Sequence, residues 1–380
     1  MLIGVKDSLK LFGVSVICCC AVLVCMMFLN YAVDLKGIED FVGTAEAMAF
    51  YNAQLTTAKV VIIITGLCLL ATSIVTLMFH VRHFIDAHKK ELGILKALGY
   101  SDIRIASNFA VFGLSVLIGT AVGFGLAFAI MPKFYAMQNK DGILPAVQPD
   151  FHAETLAYFV ILPTLAFACI AVAYASYKLK QPVLGLLKDS ENFKTSKRMR
   201  DVKDEIPFLR GLAVSTIRSK KVMTFFICFS SFCFSAMIQM GASMRDLASE
   251  MMEIMMMIIG IILAMVTLIL AVATVVKANV KTIAIMRAYG YSGGQCANAI
   301  LGVYRPFAYL GFAIGTVYQF GLLKLMVEIV FKDIGAEITY KFDFAVMAIT
   351  LAAFVAVYEG LTLLYSESIK RISLKRIMAE

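Results

Sequence analysis

Eight stretches of this chain stay apolar for long enough to cross a bilayer. They lie near residues 11–31, 57–80, 104–131, 155–177, 221–241, 252–276, 296–323 and 343–365. Crossing about 30 Å of hydrocarbon takes about 20 helical residues. A backbone in lipid must satisfy its own hydrogen bonds, which leaves helices or closed barrels. The ten-residue alternating segments of a barrel are absent. The fold class is therefore all-α: a polytopic membrane protein with eight transmembrane helices. Only 16% of the residues are charged, against about 25% in a soluble domain, as expected where lipid solvates much of the surface.

The formal charge of +9 would suggest nucleic acid on a soluble protein. Here it follows the topology instead, and no nucleic-acid partner is expected. Segments 1–10, 81–105, 178–221, 277–305 and 366–380 hold all of the 35 basic residues except Lys36, Lys59, Lys133, Lys140, Arg245, Lys324, Lys332 and Lys341. Such a bias places those segments, and both termini, in the cytoplasm. The opposite loops carry acids such as Asp34, Glu39, Asp40, Glu46, Asp141, Asp150 and Glu154. The first run lacks a small-x-small cleavage site and reads as a retained helix. Most of the nine cysteines sit inside apolar runs without a CxxC pair, as small buried hydrophobes do.

The chain also repeats itself. Residues 90–101 read KELGILKALGYS and residues 281–292 read KTIAIMRAYGYS, 191 positions on. The same offset pairs Phe151 with Phe342 and Tyr174 with Tyr365. At the front of each copy, Gly4 and Ser8 match Gly211 and Ser215 at an offset of 207, the loop after the first run being the longer one. The chain thus reads as two tandem four-helix units in the same orientation: 1–187, a charged cytoplasmic linker 188–207, and 208–380. The segment after Pro207 sets Phe208, Leu209, Leu212 and Ile217 against Arg210, Arg218, Lys220 and Lys221. That pattern suits an interfacial amphipathic helix, a solvated connector being the alternative.

The repeated segment is short and amphipathic, it joins two spans, and a glycine ends it. An element of this kind can dock a partner through its apolar face. It resembles the cytoplasmic signature E-I-G-I-L-R-A-L-G-A-S of the FtsX-like permease family of ABC transporters, which includes the MacB, Lol and Bce types. Glu91, Gly93, Ile94, Leu95, Lys96, Ala97, Leu98, Gly99 and Ser101 fit that signature. In the second copy Thr282 replaces the Glu and Ala284 the first Gly, while Arg287, Ala288, Gly290 and Ser292 remain. The resemblance implies two FtsX-like repeats in a bacterial cytoplasmic membrane, and a separate cytoplasmic ABC ATPase, two copies per chain. The docking residues would be Lys90, Glu91, Leu92, Gly93, Ile94, Leu95, Lys96, Ala97, Leu98, Gly99 and Tyr100. In the second repeat they would be Lys281, Ile283, Ile285, Met286, Arg287, Ala288, Tyr289, Gly290 and Tyr291. No G-x-x-x-x-G-K-[ST] loop occurs in this chain, so ATP and Mg belong to the partner and this chain needs no cofactor. Relatives often carry a large extracytoplasmic domain, whereas no outer loop here exceeds about 26 residues by the run boundaries above.

Smaller features complete the reading. GxxxG occurs at Gly119–Gly123 and Gly311–Gly315. Such spacing lets helix backbones approach closely and suggests a packing seam between the repeats. Arg305 and Glu359 lie inside apolar runs, where lone charges are expensive. They are expected to pair as a structural clamp, private to the second repeat because the first has Leu114 and Ala168. Methionines cluster between 237 and 265 and read as an adaptable apolar contact rather than a soft-metal site. No catalytic or metal constellation stands out, and His80, His83 and His88 simply flank the docking segment. The expected function is that of a permease subunit, not an enzyme. It would couple a partner's ATP hydrolysis to export, or extraction from membrane lipid, of a hydrophobic or amphipathic peptide or lipid. The rival is a mechanotransmitter that relays the ATPase stroke to a further membrane or sensor subunit, or to an enzyme outside, without moving cargo.

Overall fold

The computed structural model describes residues 12–41, 43–139, 142–145, 147–182, 211, 217, 221–243, 250–332 and 341–370. Its helices are α1 (Phe12–Lys36), α2 (Ala45–Ala87), α3 (Lys89–Ala97), α4 (Asp102–Ser107), α5 (Gly113–Gln138), α6 (Ala153–Leu156) and α7 (Leu162–Leu179). They continue with α8 (Lys221–Ser243), α9 (Glu250–Ala278), α10 (Val280–Ala288), α11 (Gly293–Ile300), α12 (Arg305–Lys332) and α13 (Phe344–Lys370). Short 3-10 turns, Asn108–Phe112 and Gly302–Tyr304, lead from α4 into α5 and from α11 into α12. A π turn, Ala157–Ile161, leads from α6 into α7. Among the described residues these elements make 8 helices long and apolar enough to cross a membrane, one for each expected run. The protein is an all-α, multi-pass membrane protein. The charged linker 188–207 lies outside the described residues, as does most of the segment after Pro207.

The chain divides into two compact units, Met1–Lys197 with Glu328–Ile338 and Arg198–Val327 with Thr339–Glu380. Each unit carries the same order of elements: a first span, a long second span, a short helix, an interrupted third span and a fourth. The interruption itself repeats, since a 3-10 turn follows both α4 and α11.

One element is much longer than its apolar run. The second run spans 57–80, yet α2 covers 43 residues, about 65 Å at 1.5 Å per residue. Its added first turns, Ala45–Thr56, set Ala45, Ala47, Ala49 and Ala53 among Glu46, Met48 and Gln54, good helix formers that are together not especially apolar. Thr44 starts the helix by accepting from the Ala47 amide at 3.3 Å, and Glu46 faces the positive end of the helix dipole. Hydropathy stops at the membrane surface, but the helix does not.

The core of the first unit gathers Val14, Leu77, Val81, Ile85, Ile105, Phe109, Phe112, Val116, Phe167 and Leu179 from α1, α2, α4, the 3-10 turn, α5 and α7. Leu92 of α3 joins the same cluster, so the short helix is anchored in the bundle. Phe84 meets the edges of Phe109 and Phe112 with ring centres 5.6 Å apart in each case. In the second unit Phe354 is fully buried, against Phe234 at 5.3 Å and Phe312 at 5.2 Å.

The GxxxG glycines face helices of their own unit, which corrects the expectation that they form a seam between repeats. A methyl group on Gly119 would strike the carbonyl of Ser15, and one on Gly123 the carbonyl of Cys19, both on α1. Likewise Gly311 lies against Cys228, and a Cβ on Gly315 would sit 2.6 Å from the Phe232 carbonyl on α8. The reason is geometric: the first and third spans of each unit run backbone to backbone, which only glycine allows. This packing pairs Ser15 with Cys228 and Cys19 with Phe232, an offset of 213 rather than the 207 read from Gly4 and Ser8. Gly119→Val should therefore cost about 2 kcal/mol through overpacking, seen as a lower thermal midpoint in detergent. Gly125→Ala, where nothing lies within 4 Å, should change it by less than about 0.5 kcal/mol.

Candidate functional site

The repeated segment folds as a short helix whose C-terminal end is closed by its own sequence. In the first unit Gly99 takes φ +89°, and its amide donates to Lys96 O at 3.1 Å while Tyr100 N donates to Leu95 O at 3.2 Å. In the second, Gly290 takes φ +88°, with Gly290 N on Arg287 O at 3.0 Å and Tyr291 N on Met286 O at 3.2 Å. Glycine is required because other residues rarely adopt this left-handed conformation. The serine two residues on then starts the next helix. Ser101 Oγ accepts from Arg104 N, and Ser292 Oγ from Gln295 N, each at 3.3 Å. Gln295 Oε1 accepts from Ser292 N in return at 3.0 Å, completing a capping box. The motif Gly-Tyr-Ser is thus a helix stop followed directly by a helix start.

These caps divide the candidate residues into two sets. Leu92 and Gly93 are buried and Leu95 packs against the core of the first unit. Lys90, Glu91, Ile94, Ala97, Leu98, Gly99 and Tyr100 are exposed, with Ile94 at 52% and Leu98 at 70%. In the second unit Ile283 and Met286 are buried, while Ile285 at 56% and Tyr289 at 79% stand out, with Ala288 and Gly290 exposed beside them. Arg287 and Tyr291 are half-buried, and Lys281 belongs to α10. Ile94 and Leu98 therefore have their counterparts in Ile285 and Tyr289, 191 positions on. Each short helix has one buried face and presents a large apolar pair on the other, and in the first unit the buried face packs into that unit's own core.

The sequence reading missed residues that enlarge the first patch. Ile103 is 70% exposed and Arg104 is exposed too, its guanidinium 5.3 Å from the Tyr100 ring centre. The helix start at Ser101 was the available signal, because it brings the first turn of α4 beside the end of α3. At the matching positions the second unit has Gly294 and Gln295. Lys96, expected on the docking surface, turns inward instead. Its Nζ donates to Leu179 O at 2.6 Å and Gln181 O at 2.9 Å, and pairs with Asp102 Oδ1 at 2.8 Å. His88, at the bend between α2 and α3, stacks on Phe84 at 4.2 Å.

Two further polar groups sit along the spans. Arg305 Nη2 reaches Glu359 Oε2 at 2.6 Å, joining the start of α12 to α13. At the opposite end of the first unit from α3, Asp34 is 4% exposed and receives His152 Nε2 on Oδ1 at 2.7 Å. Its Oδ2 accepts from Tyr135 Oη at 2.6 Å and Asn30 Nδ2 at 2.8 Å. Asp34 had been read as one more loop acid, and nothing in its immediate sequence reveals the tie between α1, α5 and α6. Among the described residues no group of three or more His, Cys, Asp or Glu could hold a metal ion.

Comparison with known proteins follows the same division. A family model described as FtsX-like permease C-terminal matches residues 62–183 and again 254–374. Those ranges run from within α2 to beyond α7, and from within α9 to beyond α13. An uncharacterized ABC transporter permease of Mycoplasma genitalium is 22% identical over 154 residues, 40% of this chain and 12% of that protein. The chain thus covers only a small part of that relative's length. No solved structure matches. The ion pair generates a direct test: Arg305→Leu leaves a lone carboxylate at membrane depth and should cost about 2 kcal/mol of stability. Adding Glu359→Ala, which restores the residues of the first repeat, should recover most of the loss in the thermal midpoint.

Proposed function

Because the chain belongs to the FtsX-like permease family, we propose that it is the membrane subunit of an ABC transporter whose ATPase docks on α3 and α10. One observation carries this reading. The two units hold, at matching positions, short helices ended by the same glycine turn, each with one buried face and Ile94–Leu98 or Ile285–Tyr289 on the other. An apolar pair exposed at the end of a helical bundle is stabilised by a partner that buries it. Its anchored face passes any displacement to the spans above, since a close-packed interior transmits strain. Two such patches call for two ATPase copies, on the side of the membrane that also holds both termini. The basic bias of the flanking segments supports placing that side in the cytoplasm, and the family supports a bacterial membrane. ATP and Mg would be held by the partner.

In this reading nucleotide-driven approach of the two ATPases moves α3 and α10, and the spans rearrange to export or extract cargo. The apolar spans, with large exposed side chains such as Leu67, Leu165 and Val317, favour a hydrophobic or amphipathic cargo, a peptide or lipid entering laterally. The relay reading has its own support in α2. At about 65 Å it exceeds the hydrocarbon by half its length and ends next to α3, so it could carry a stroke to a partner on the far side.

Affinity capture of the tagged chain from its native membrane tests the docking. An ABC ATPase should co-purify. Ile94→Asp with Leu98→Asp should weaken its retention by at least about tenfold, as each buried aliphatic side chain contributes about 1.5–3 kcal/mol. Ile285→Asp with Tyr289→Asp should have a smaller effect, since the second patch lacks a counterpart of Ile103. No ATPase in mild detergent would sink the proposal. ATPase stimulation by lipid or peptide in liposomes would favour transport; stimulation only by a further protein would favour the relay.

A further inference from the structure

Lys96 lies in the docking segment yet makes no contact that a docked partner would need. Its ammonium is held within the first unit. It donates to the carbonyls of Leu179 and Gln181, at 2.6 and 2.9 Å, and pairs as an ion with Asp102 Oδ1 at 2.8 Å. Leu179 is the last residue of α7 and fully buried. The last carbonyls of a helix have no partner of their own and carry the negative end of its dipole, so a lysine there both caps and neutralises them. This cap comes from another helix. It joins the last turn of α3, the first turn of α4 and the end of α7 at one point that is 18% exposed on the Lys96 side chain. Nearer the other end of α3, Leu92 packs into the core of the same unit.

We propose that Lys96 is a positioning residue: a strut that makes α3 and the end of α7 move as one body, so that a push on the docking patch reaches the fourth span directly. The proposal rests on the reading of α3 as the ATPase dock. It is specific to the first unit in this form. Arg287 holds the matching position, but Gly293 stands in place of Asp102 and supplies no carboxylate. A planar guanidinium and a rotatable ammonium present donors differently, so the strut in this form belongs to the first unit.

The test is hydrogen exchange by mass spectrometry on the complex of the full chain with its co-purified ATPase, with and without ATP and vanadate. In the unsubstituted protein, peptides over 89–100 and 174–182 should both change exchange with nucleotide. Lys96→Met removes the ammonium but keeps most of the unbranched side chain and leaves Ile94, Leu98 and Ile103 in place, so the ATPase should still be captured. The response at 89–100 should persist while that at 174–182 disappears, and Lys96→Arg should restore most of it. In the chain alone, Lys96→Met should speed exchange at 179–182 about tenfold, with Asp102→Asn giving a smaller rise. An unchanged nucleotide response at 174–182 in Lys96→Met would overturn the strut and leave the dock standing. If Lys96→Met does not fold, Asp102→Asn decides, since a strut requires a weakened response at 174–182. No nucleotide response at 89–100 in the unsubstituted complex would overturn the assignment of α3 as dock, and the strut with it.

Discussion

A peptide group in lipid has no water to turn to, and every feature of this chain answers to that. It forces eight long helices, and it makes each change of direction near the membrane surface a problem in capping. The short helices α3 and α10 stand at the hardest of these places, between two spans that must reverse direction. Both are solved by one local device. A glycine at φ near +90° closes the last turn on its own carbonyls, and a serine two residues later opens the next helix. Because the device is complete within a few residues, it needs no support from elsewhere. It has stayed the same in both copies while the residues around it diverged.

What diverged is the polar fastening. The first unit carries ties at its two ends, by Asp34 with Asn30, Tyr135 and His152 at one, and by Lys96 with Asp102 and the Leu179 carbonyl at the other. Between them Ser15 Oγ donates to Ser115 O at 2.6 Å, joining α1 to α5. Among the described residues of the second unit, Ser235, Gln239 and Thr316 bond across α8 and α12 at 2.9–3.0 Å, and Arg305 pairs with Glu359 between α12 and α13. Within hydrocarbon no water competes for such bonds, though other polar groups of the helices can, and each contributes about 0.6–2 kcal/mol.

Some of this was legible in the sequence and some was not, for identifiable reasons. The eight spans could be read because hydropathy responds to lipid directly, and the repeat because GYS and its neighbours carry backbone requirements that tolerate few substitutions. The length of α2 could not, since Ala45–Thr56 forms helix by propensity and not by apolarity. The seam expected between repeats at Gly119 and Gly311 proved to be α1 on α5 and α8 on α12. Spacing reveals that a helix admits a close neighbour, never which neighbour. The division of KELGILKALGYS into anchor and surface was hidden for a related reason. Leu92, Leu95 and Leu98 are chemically alike, and only the direction in which α3 meets the bundle buries the first and exposes the last. Lys96 looked like a surface charge because the carbonyls it caps lie 83 and 85 residues away.

The same comparison bears on how two nearly equivalent docks could act differently. Ile94, Leu98, Tyr100 and Ile103 together offer more apolar surface than Ile285 and Tyr289, and Glu91 and Arg104 add charges where the second copy has Thr282 and Gln295. A partner that recognised only the shared pair would bind both patches, with the first favoured by whatever Ile103 and the two charges add. Opposite charges at a rim steer approach and fix register more than they add affinity. On the proposed reading the first dock would orient its partner more strongly than the second, and Lys96 would pass motion into the end of α7. The inequality between the two patches resides in a handful of side chains, not in the fold that both units share.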